Sequence, residues 1–576
     1  MKRLISIALI LSLSTFFYCD NKNIDSKTAI SVNKQDIEVK KISISQTLKK
    51  NNLLPIEEQI VLYYKLKKES PETYNFDNED ELTMYGYSYL WDNKVSEAIE
   101  VFKLIVAEFP NSANPYDSLG EGYMTNGNME LALINYQKSL EMNPDNFNAE
   151  DQIERIKFPE KKPLTPDEKF VKVYSVQEYK DDLDQLGNKL LEINPNALKF
   201  ISKENFLNII EAKKGLISEN TTYGDFIWHC NEIIASINCS HTSLGSFSQE
   251  SAMINKSLVF PLQTRWIDDK LFVIDAMSSA DKVKIKDEIL SINEVSVSTL
   301  VEDIYKHIQS QGYVESSKNH FFNAWSTEMI PYALGFPESY TIKIQGNKNS
   351  IVLDKAEKFK APYSDTSIIK CEDDLCLEFM DNDDTAVLTI SSFNYYPWNN
   401  FDVFETFIDT SFKEINKNDT KNLVIDLRFN GGGSSESSIY LLKYLVDKPF
   451  TYFTNEEIKP QSNLFKGKLY FIIDGNGKST TGHFVALAKH LKLGTIVGEE
   501  LGSNQMCTAG QTNCRLTNTK LEFGVANSES RLYKTALPDE KGILPDHYVA
   551  QSIDDYLNNI DAVKASTLNL INKLKK

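Results

Sequence analysis

The sequence lacks the features that mark several large classes of protein. It holds 62 Lys and Arg against 81 Asp and Glu, a formal net charge of −19, and has no cluster of basic residues. Nucleic-acid binding depends on such clusters, because they neutralise phosphates and release counterions, so we expect no nucleic-acid partner. The CxxC spacing of zinc sites is missing, and no Gly-Lys-Ser/Thr directly follows the glycine triplet at residues 431–433. We therefore expect no metal ion and no organic cofactor.

Long apolar runs are also missing, except at the N-terminus. Lys2 and Arg3 precede an apolar run over residues 4–18, which is shorter than the roughly 20 residues of a membrane-spanning helix but suits an export signal. Cys19 follows directly, as in bacterial lipoproteins, where this cysteine is acylated and becomes the mature N-terminus. We expect a lipid-anchored envelope protein, in the periplasm or at the outer membrane, with plain secretion as the alternative.

Six cysteines remain beyond Cys19. An even number permits disulfides in an oxidising compartment, although six cysteines allow 15 pairings. Cys371 lies close in sequence to Cys376, and Cys507 to Cys514. These two local pairs are therefore the candidate disulfides, and the connectivity of the six cysteines stays open.

The first folded part of the chain carries an internal repeat. Similar residue types recur at a spacing of 34, the period of tetratricopeptide (TPR) repeats. The pairs are Gly86 and Gly120, Tyr89 and Tyr123, Ala98 and Ala132, Phe102 and Tyr136, and Pro110 and Pro144. In such units small residues let two antiparallel helices approach closely and aromatic side chains fill the gap. We expect helical hairpins that either bind a protein partner or act as a spacer.

The rest of the chain divides into further segments. The stretch IKDEILSINEV, residues 285–295, resembles part of a PDZ domain and predicts a β-rich, PDZ-like insertion. The predicted fold class is therefore multidomain, with α and α/β parts. The predicted order is an export signal (1–19), a polar tether (20–50), TPR-like helices (51–157), a proline-containing linker (158–169), a helical segment (170–254), the PDZ-like insertion (255–350) and an α/β core (351–576).

The α/β core contains two successive patterns of strand, loop and helix. The first loop holds Gly431, Gly432 and Gly433, and the second holds Ser479. A helix N-terminus supplies positive potential and unpaired N–H groups, so a serine there suits acyl transfer. The N–H groups of Thr480 and of the glycine loop could bind the oxyanion that forms. An ordinary helix-capping serine is the alternative interpretation.

Several stretches together resemble one family. In order, LVIDLRFNGGG, LYFIIDGNGKSTTGHF and GTIVGEELGS are similar to the core of the C-terminal-processing and tricorn-core serine peptidases. GILPDHYV resembles a closing element of that family, and SHTSL resembles its upstream histidine motif. The resemblance covers roughly residues 190–560. It implies a peptidase core in which Ser479 is the nucleophile and in which Gly431, Gly432 and Thr480 surround the oxyanion.

The resemblance also implies the groups that activate the serine. One branch of the family uses a Lys in the loop that here spans residues 499–504, but this loop has none. The tricorn-like branch uses a His beside a Ser, which match His241 and Ser240, and a downstream carboxylate that falls at Asp539 or Glu540. An unperturbed imidazole titrates near neutral pH, which suits a base for a serine hydroxyl.

Some alternatives stay open at this point. His483 is closest in sequence to Ser479 and is the second candidate base, and Glu499 and Glu500 are further candidate carboxylates. We predict a serine endopeptidase of the bacterial envelope that cleaves polypeptides through an acyl-enzyme. The alternative is a catalytically inactive, peptidase-like scaffold that binds envelope proteins through its TPR and PDZ-like modules.

Overall fold

The computed structural model describes residues 41–244, 258–356, 371, 374–380, 384–395 and 401–573. These residues form two compact units, one that ends at Pro163 and one that begins at Leu164. The predicted export signal with Cys19 lies outside the described residues. Within the described ranges, no helix has the length and apolar character needed to cross a membrane.

The first unit is almost entirely helical. Its two short strands, β1 (Ile42–Ser43) and β2 (Tyr74–Asn75), pair in parallel. Its helices are α1 (Ile44–Lys50), α2 (Ile56–Glu69), α3 (Glu79–Trp91), α4 (Val95–Glu108), α5 (Asn114–Thr125), α6 (Met129–Met142) and α7 (Phe147–Lys157). The predicted tether spans residues 20–50, but β1 and α1 already fold within this range. The Ser43 side chain caps α1 and so helps to fix where the helix begins.

The repeated small and aromatic residues pack as helical hairpins require. A Cβ atom added at Gly86 would lie 2.5 Å from Phe102 Cε1, and one at Gly120 would lie 3.0 Å from Tyr136 Cδ1. Each glycine therefore lets an aromatic ring of the next helix lie directly on its backbone. The assignment of these hairpins to the TPR class stays a prediction.

The second unit begins with helices and continues into an antiparallel sheet. The helices are α8 (Pro166–Phe170), α9 (Val176–Ile193), α10 (Lys203–Leu216) and α11 (Tyr223–Ser236). The sheet has the order β4 (Gln263–Ile267), β5 (Lys270–Asp275), β6 (Glu288–Ile292), β8 (Thr341–Ile344) and β9 (Ile351–Val352), with β7 (Val295–Ser296) paired to β6. Helices α12 (Val297–Tyr305) and α13 (Glu315–Ala333) connect its strands. Its PDZ-like identity stays a prediction.

The core of the second unit is a six-stranded sheet. Its order is β10 (Leu375–Met380), β11 (Thr385–Ile390), β12 (Asn422–Asp426), β13 (Lys468–Ile473), β14 (Gly494–Gly498) and β19 (His547–Tyr548). Only the β10–β11 pair is antiparallel. Strands β11 and β12 are buried along their whole length, because helices cover both faces.

Two helix layers cover this sheet. The helices on one face include α14 (Phe401–Lys417), α15 (Ser435–Leu445) and α16 (Thr480–His490), and α18 (Ala562–Lys573) lies on the other, after the short α17 (Ile553–Leu557). Parallel strands place their carboxyl ends at one edge, so the loops after β12, β13 and β14 meet there. The predicted combination of an N-terminal helical region and an α/β core is confirmed.

Smaller sheets complete the second unit. Strand β3 (Ser243–Leu244) pairs with β17 (Glu522–Val525), which also pairs with β16 (Thr512–Arg515). Strands β15 (Met506–Ala509) and β18 (Ser528–Arg531) form a separate pair. Because β3 is formed by the last two residues of the SHTSL stretch, these pairings join that stretch to the segment after β14.

The cysteines form only one of the two candidate disulfides. Cys371 and Cys376 are joined by a disulfide. The candidate bond between Cys507 and Cys514 is wrong, because both side chains are thiols and lie on β15 and β16, which belong to different sheets.

Candidate active site

Ser479 lies in a strained turn between β13 and α16. Its backbone has φ 54° and ψ −123°, a region that residues with a side chain rarely occupy. It stands at the N-cap position of α16, yet its side chain makes no capping hydrogen bond. The structure thus differs from an ordinary helix-capping serine, because the hydroxyl makes no hydrogen bond to the N–H groups of its own helix.

The glycine loop after β12 lies against this turn. Gly432 has φ 100°, and a Cβ atom there would lie 2.7 Å from Ser479 Cβ and 2.8 Å from the Lys478 carbonyl oxygen. The Lys478 N–H donates to the Asn430 carbonyl oxygen over 3.2 Å. The Thr480 hydroxyl donates to the Gly433 carbonyl oxygen over 2.6 Å. Only glycine at position 432 permits this approach of the two loops.

Asn430 is the buried centre of the glycine loop. Its Oδ1 accepts from the Gly432 N–H at 2.9 Å and from the Thr481 hydroxyl at 2.7 Å, and its Nδ2 donates to the Ile390 carbonyl oxygen at 2.9 Å. One amide therefore links β11, the glycine loop and α16. It also occupies the Gly432 N–H in this conformation.

Asp474 hydrogen-bonds to both the glycine loop and the turn that carries Ser479. Its carboxylate accepts from the Phe429 N–H at 3.2 Å and from the Asn476 N–H at 3.1 Å. Phe429 enters the glycine loop, and Asn476 lies in the turn that leads to Ser479. Burial raises the pKa of Asp474, although His320 and the hydrogen bond from Asn476 act in the opposite direction. No motif in the sequence singles out Asp474.

His241 lies where β3 begins, with its ring anchored on one side. The Ser240 hydroxyl is 3.1 Å from His241 Nδ1, and Gln511 Nε2 donates to the His241 carbonyl oxygen at 2.6 Å. Burial lowers the pKa of His241 to about 4, and the positive charge of Lys478 contributes. In the same segment, Cys239 Sγ lies 3.7 Å from the Thr508 carbonyl oxygen on β15.

The predicted carboxylates do not hydrogen-bond to Ser240. Asp539 instead accepts from Arg531 at 2.6 and 3.1 Å, from Lys199 at 2.7 Å and from Gln505 at 2.8 Å. Burial raises the pKa of Asp539, but these partners outweigh burial and hold it well below its usual range. The Glu540 side chain is exposed.

The two other candidate carboxylates bond elsewhere. Glu500 Oε1 accepts from the Gly542 N–H at 2.9 Å, and Glu499 Oε2 lies 3.0 Å from His320 Nε2.

Cys507 is a neighbour of the candidate nucleophile that the sequence did not reveal. Burial raises its pKa to about 12, although a hydrogen bond with the Ser479 side chain lowers it in part. Cys507 Sγ also lies 3.8 Å from His483 Nε2, which is 3.4 Å from the Ser530 carbonyl oxygen. Burial lowers the pKa of His483 to about 4. A thiol has no motif that marks it as an active-site neighbour, so the sequence offered only a disulfide.

Arg428 forms two ion pairs at the end of β12. Its guanidinium pairs with Asp426 at 2.6 Å and with Asp561 at 2.7 Å, and both bonds are bidentate. This ion-pair cluster ties the DLR stretch to the start of α18.

Comparison with known proteins gives one family match. Residues 384–549 match the model of peptidase family S41. No curated protein matches the sequence.

Several solved structures resemble the chain at low identity. Mature CPAF complexed with lactacystin is 13% identical, with 69% of this chain and 98% of that chain covered and a TM-score of 0.49. The photosystem II D1 C-terminal processing protease is 11% identical, with 66% and 96% covered and a TM-score of 0.32. The tricorn protease is 14% identical, with 70% and 37% covered and a TM-score of 0.31.

The α/β core with its serine turn and the matched segment define a serine-type peptidase. The match over residues 384–549 supports the peptidase family that the motifs predicted.

Proposed function

We propose that the protein is an endopeptidase in which Ser479 is the nucleophile and His241 is the general base. Ser479 Oγ attacks the carbonyl carbon of the scissile peptide bond while His241 Nε2 takes the hydroxyl proton. His241 then gives that proton to the leaving amine as the C–N bond breaks. Water hydrolyses the resulting ester by the same route and regenerates the serine.

The observation that carries this proposal is that strand β15 contacts both the histidine segment and the helix that begins at Ser479. Cys239 Sγ lies 3.7 Å from the Thr508 carbonyl oxygen, and Cys507 Sγ lies 3.8 Å from His483 Nε2 on α16. Burial also lowers the pKa of His241 to about 4, with a contribution from the Lys478 charge. A pKa of about 4 keeps the ring neutral, and thus able to accept a proton, across the physiological range. A ring that carries its hydrogen on Nδ1 donates it to Ser240, which leaves the Nε2 lone pair for Ser479.

Backbone donors on both loops support the oxyanion. The Thr480 N–H belongs to the first turn of α16, where a helix has no internal acceptor to offer. The second donor is the Gly431 N–H, or the Gly432 N–H once it leaves Asn430 Oδ1. Each such donor is worth on the order of 100- to 1000-fold in rate.

A carboxylate completes the site in this proposal, either Asp539 or Glu540. Asp539 could orient Ser240 only after leaving Arg531 and Lys199. The comparison of Asp539→Asn with Glu540→Gln separates the two, since only the loss of the true partner lowers kcat while KM stays unchanged.

Hydrolysis of a casein substrate tests the serine and the base. We expect Ser479→Ala to abolish turnover and His241→Ala to reduce it at least about 1000-fold. His483→Ala is the matched control, because this buried histidine lies near Cys507 but outside the proposed proton path. Unchanged turnover in His241→Ala together with loss in His483→Ala would transfer the base to His483. Full turnover in Ser479→Ala would end the proposal.

We further propose that the protein acts in the bacterial envelope as an exported lipoprotein. The basic and apolar N-terminal sequence before Cys19 supports this location. Labelling of cells with a fatty-acid probe should mark the wild type and not Cys19→Ala. Equal labelling, or a mature protein in the medium, would contradict the anchor. In this setting the N-terminal helical hairpins bind a protein partner, and the 258–356 segment guides polypeptide substrate.

A further inference from the structure

The turn that carries Ser479 is contacted by a helix from the antiparallel-sheet region. Ser316 and His320 are one helical turn apart on α13, so they share a face. A Cβ atom on Gly475 would lie 2.6 Å from the Ser316 carbonyl group and 2.7 Å from His320 Cδ2. The glycine thus lets α13 lie directly on the start of the turn.

His320 bridges two active-site loops with its two ring nitrogens. Asn476 Nδ2 lies 2.9 Å from His320 Nδ1, and His320 Nε2 lies 3.0 Å from Glu499 Oε2. Asn476 Nδ2 also donates to Asp474 Oδ2 over 3.1 Å. Asp474 in turn holds the entry of the glycine loop through the Phe429 N–H.

The hydrogen-bond pattern fixes the form of the ring. An ionised carboxylate can only accept, so Asn476 must present its NH₂ group to Asp474 and therefore also to His320. His320 Nδ1 is then an acceptor, and the single ring hydrogen lies on Nε2 and points to Glu499. The chain of contacts is complete only when this ring is neutral.

We propose that His320 is a positioning residue for Ser479, which acts through Asn476 and holds the nucleophile turn and the glycine loop in register. The proposal rests on Ser479 being the nucleophile. In this proposal helix α13 supports the turn that carries Ser479. This role is separate from any contact between the antiparallel sheet and substrate.

Protonation of His320 breaks this support. An imidazolium carries a hydrogen on Nδ1, which would face the NH₂ group of Asn476, donor against donor. Burial lowers the pKa of His320, but the hydrogen bond to Glu499 and the charge of Asp474 outweigh burial and raise it. Arg265 is the charged group that opposes them. The ring therefore becomes protonated at a higher pH than His241, and the turn is supported only above that pH.

Two substitutions separate the two contacts of the ring. In His320→Asn the side-chain oxygen can still accept from Asn476, whereas His320→Gln can reach Glu499 but offers no acceptor to the turn. His320→Ala loses both contacts. His490→Asn is the matched control, because His490 is exposed at the far end of α16.

The rate of fluorophosphonate labelling and the pH profile of kcat/KM test the proposal. At pH 8 we expect His320→Ala to label about 10- to 100-fold more slowly, since small misplacements of a nucleophile cost this much. His320→Asn should recover most of the loss and His320→Gln should not. In the wild type, the midpoint of the acidic limb of the kcat/KM profile should lie above about 6.5, the ordinary pKa of histidine. In His320→Asn this midpoint should move toward the lower pKa of His241. The control should match the wild type.

A second variant tests the charge coupling independently of the ring. Glu499→Gln keeps an acceptor for Nε2 but removes the charge that favours the imidazolium, so the acidic limb should again move to lower pH. Wild-type labelling in His320→Ala, or an acidic limb that does not move in His320→Asn and Glu499→Gln, would overturn the proposal. A wild type that does not label, or a Ser479→Ala variant that labels equally, would instead refute the nucleophile itself and remove the basis of the proposal.

Discussion

Replacement of Arg428 by Met should destabilise the sheet that carries the glycine loop and the serine turn. The Asp426 side chain is 2% exposed and the Asp561 side chain 18%, and Arg428 neutralises both through bidentate bonds. Met fills a similar volume but leaves two carboxylates near each other without a counter-charge. Breaking a buried ion pair in this way costs about 3–5 kcal/mol. The opening equilibrium of β12 should thus rise by a factor of roughly 100 to 5000, at about 1.4 kcal/mol for each tenfold step.

Hydrogen–deuterium exchange in low urea measures this effect locally. The rate for peptides that cover β12 should rise in Arg428→Met, while peptides from α5 in the other unit should exchange unchanged. Arg515→Met is the matched control, since its partner Glu522 is 52% exposed and such a pair is worth at most about 1 kcal/mol. A change below 1 kcal/mol at β12 would refute the buried ion pair as a structural brace.

Three further predictions concern the site and its surroundings. Gly432→Ala should lower kcat/KM at least about 100-fold, because its Cβ would lie 2.7 Å from Ser479 Cβ and the backbone has φ 100°. Gly215→Ala is the control, because a Cβ atom there would meet open space. Equal kcat/KM values for Gly432→Ala and the wild type would contradict the close approach of the two loops. The ion pairs of Asp539 lower its pKa, so they stabilise the fold above about pH 4, and this stability is lost on acidification. Asp539→Asn should unfold at a lower urea concentration at pH 7 and lose less stability than the wild type below about pH 4. Identical urea unfolding curves for the two proteins would refute the ion pairs. Burial raises the pKa of Cys507 to about 12, so iodoacetamide at pH 8 should alkylate it only after unfolding, and rapid alkylation of the native protein would contradict its environment.

The sequence predicted that the glycine loop and the serine turn belong to one site. Motif order singled out Ser479, His241 and the glycine loop, because acyl transfer requires particular residue types at strand ends, and the catalytic roles of these residues stay predictions. The structure then placed the glycine loop on the serine turn, with Gly432 at their point of contact.

Long-range polar contacts could not be predicted in the same way. His320 had no motif context, and its partners Asn476 and Glu499 come from two other segments. Hydrogen bonds of this kind depend on which elements pack together, and hydrophobic periodicity does not specify this. The Cys507 disulfide failed for a related reason, because closeness in sequence says nothing about two strands that enter different sheets.

Mass spectrometry of the fluorophosphonate adduct shows which residue of the folded protein is the nucleophile. The folded protein is labelled at pH 8, digested and mapped to the modified residue. We expect a single adduct on the Ser479 hydroxyl, formed at least about 100-fold more slowly in His241→Ala. An adduct on another residue, or equally fast labelling without His241, would contradict the roles of Ser479 as nucleophile and His241 as base.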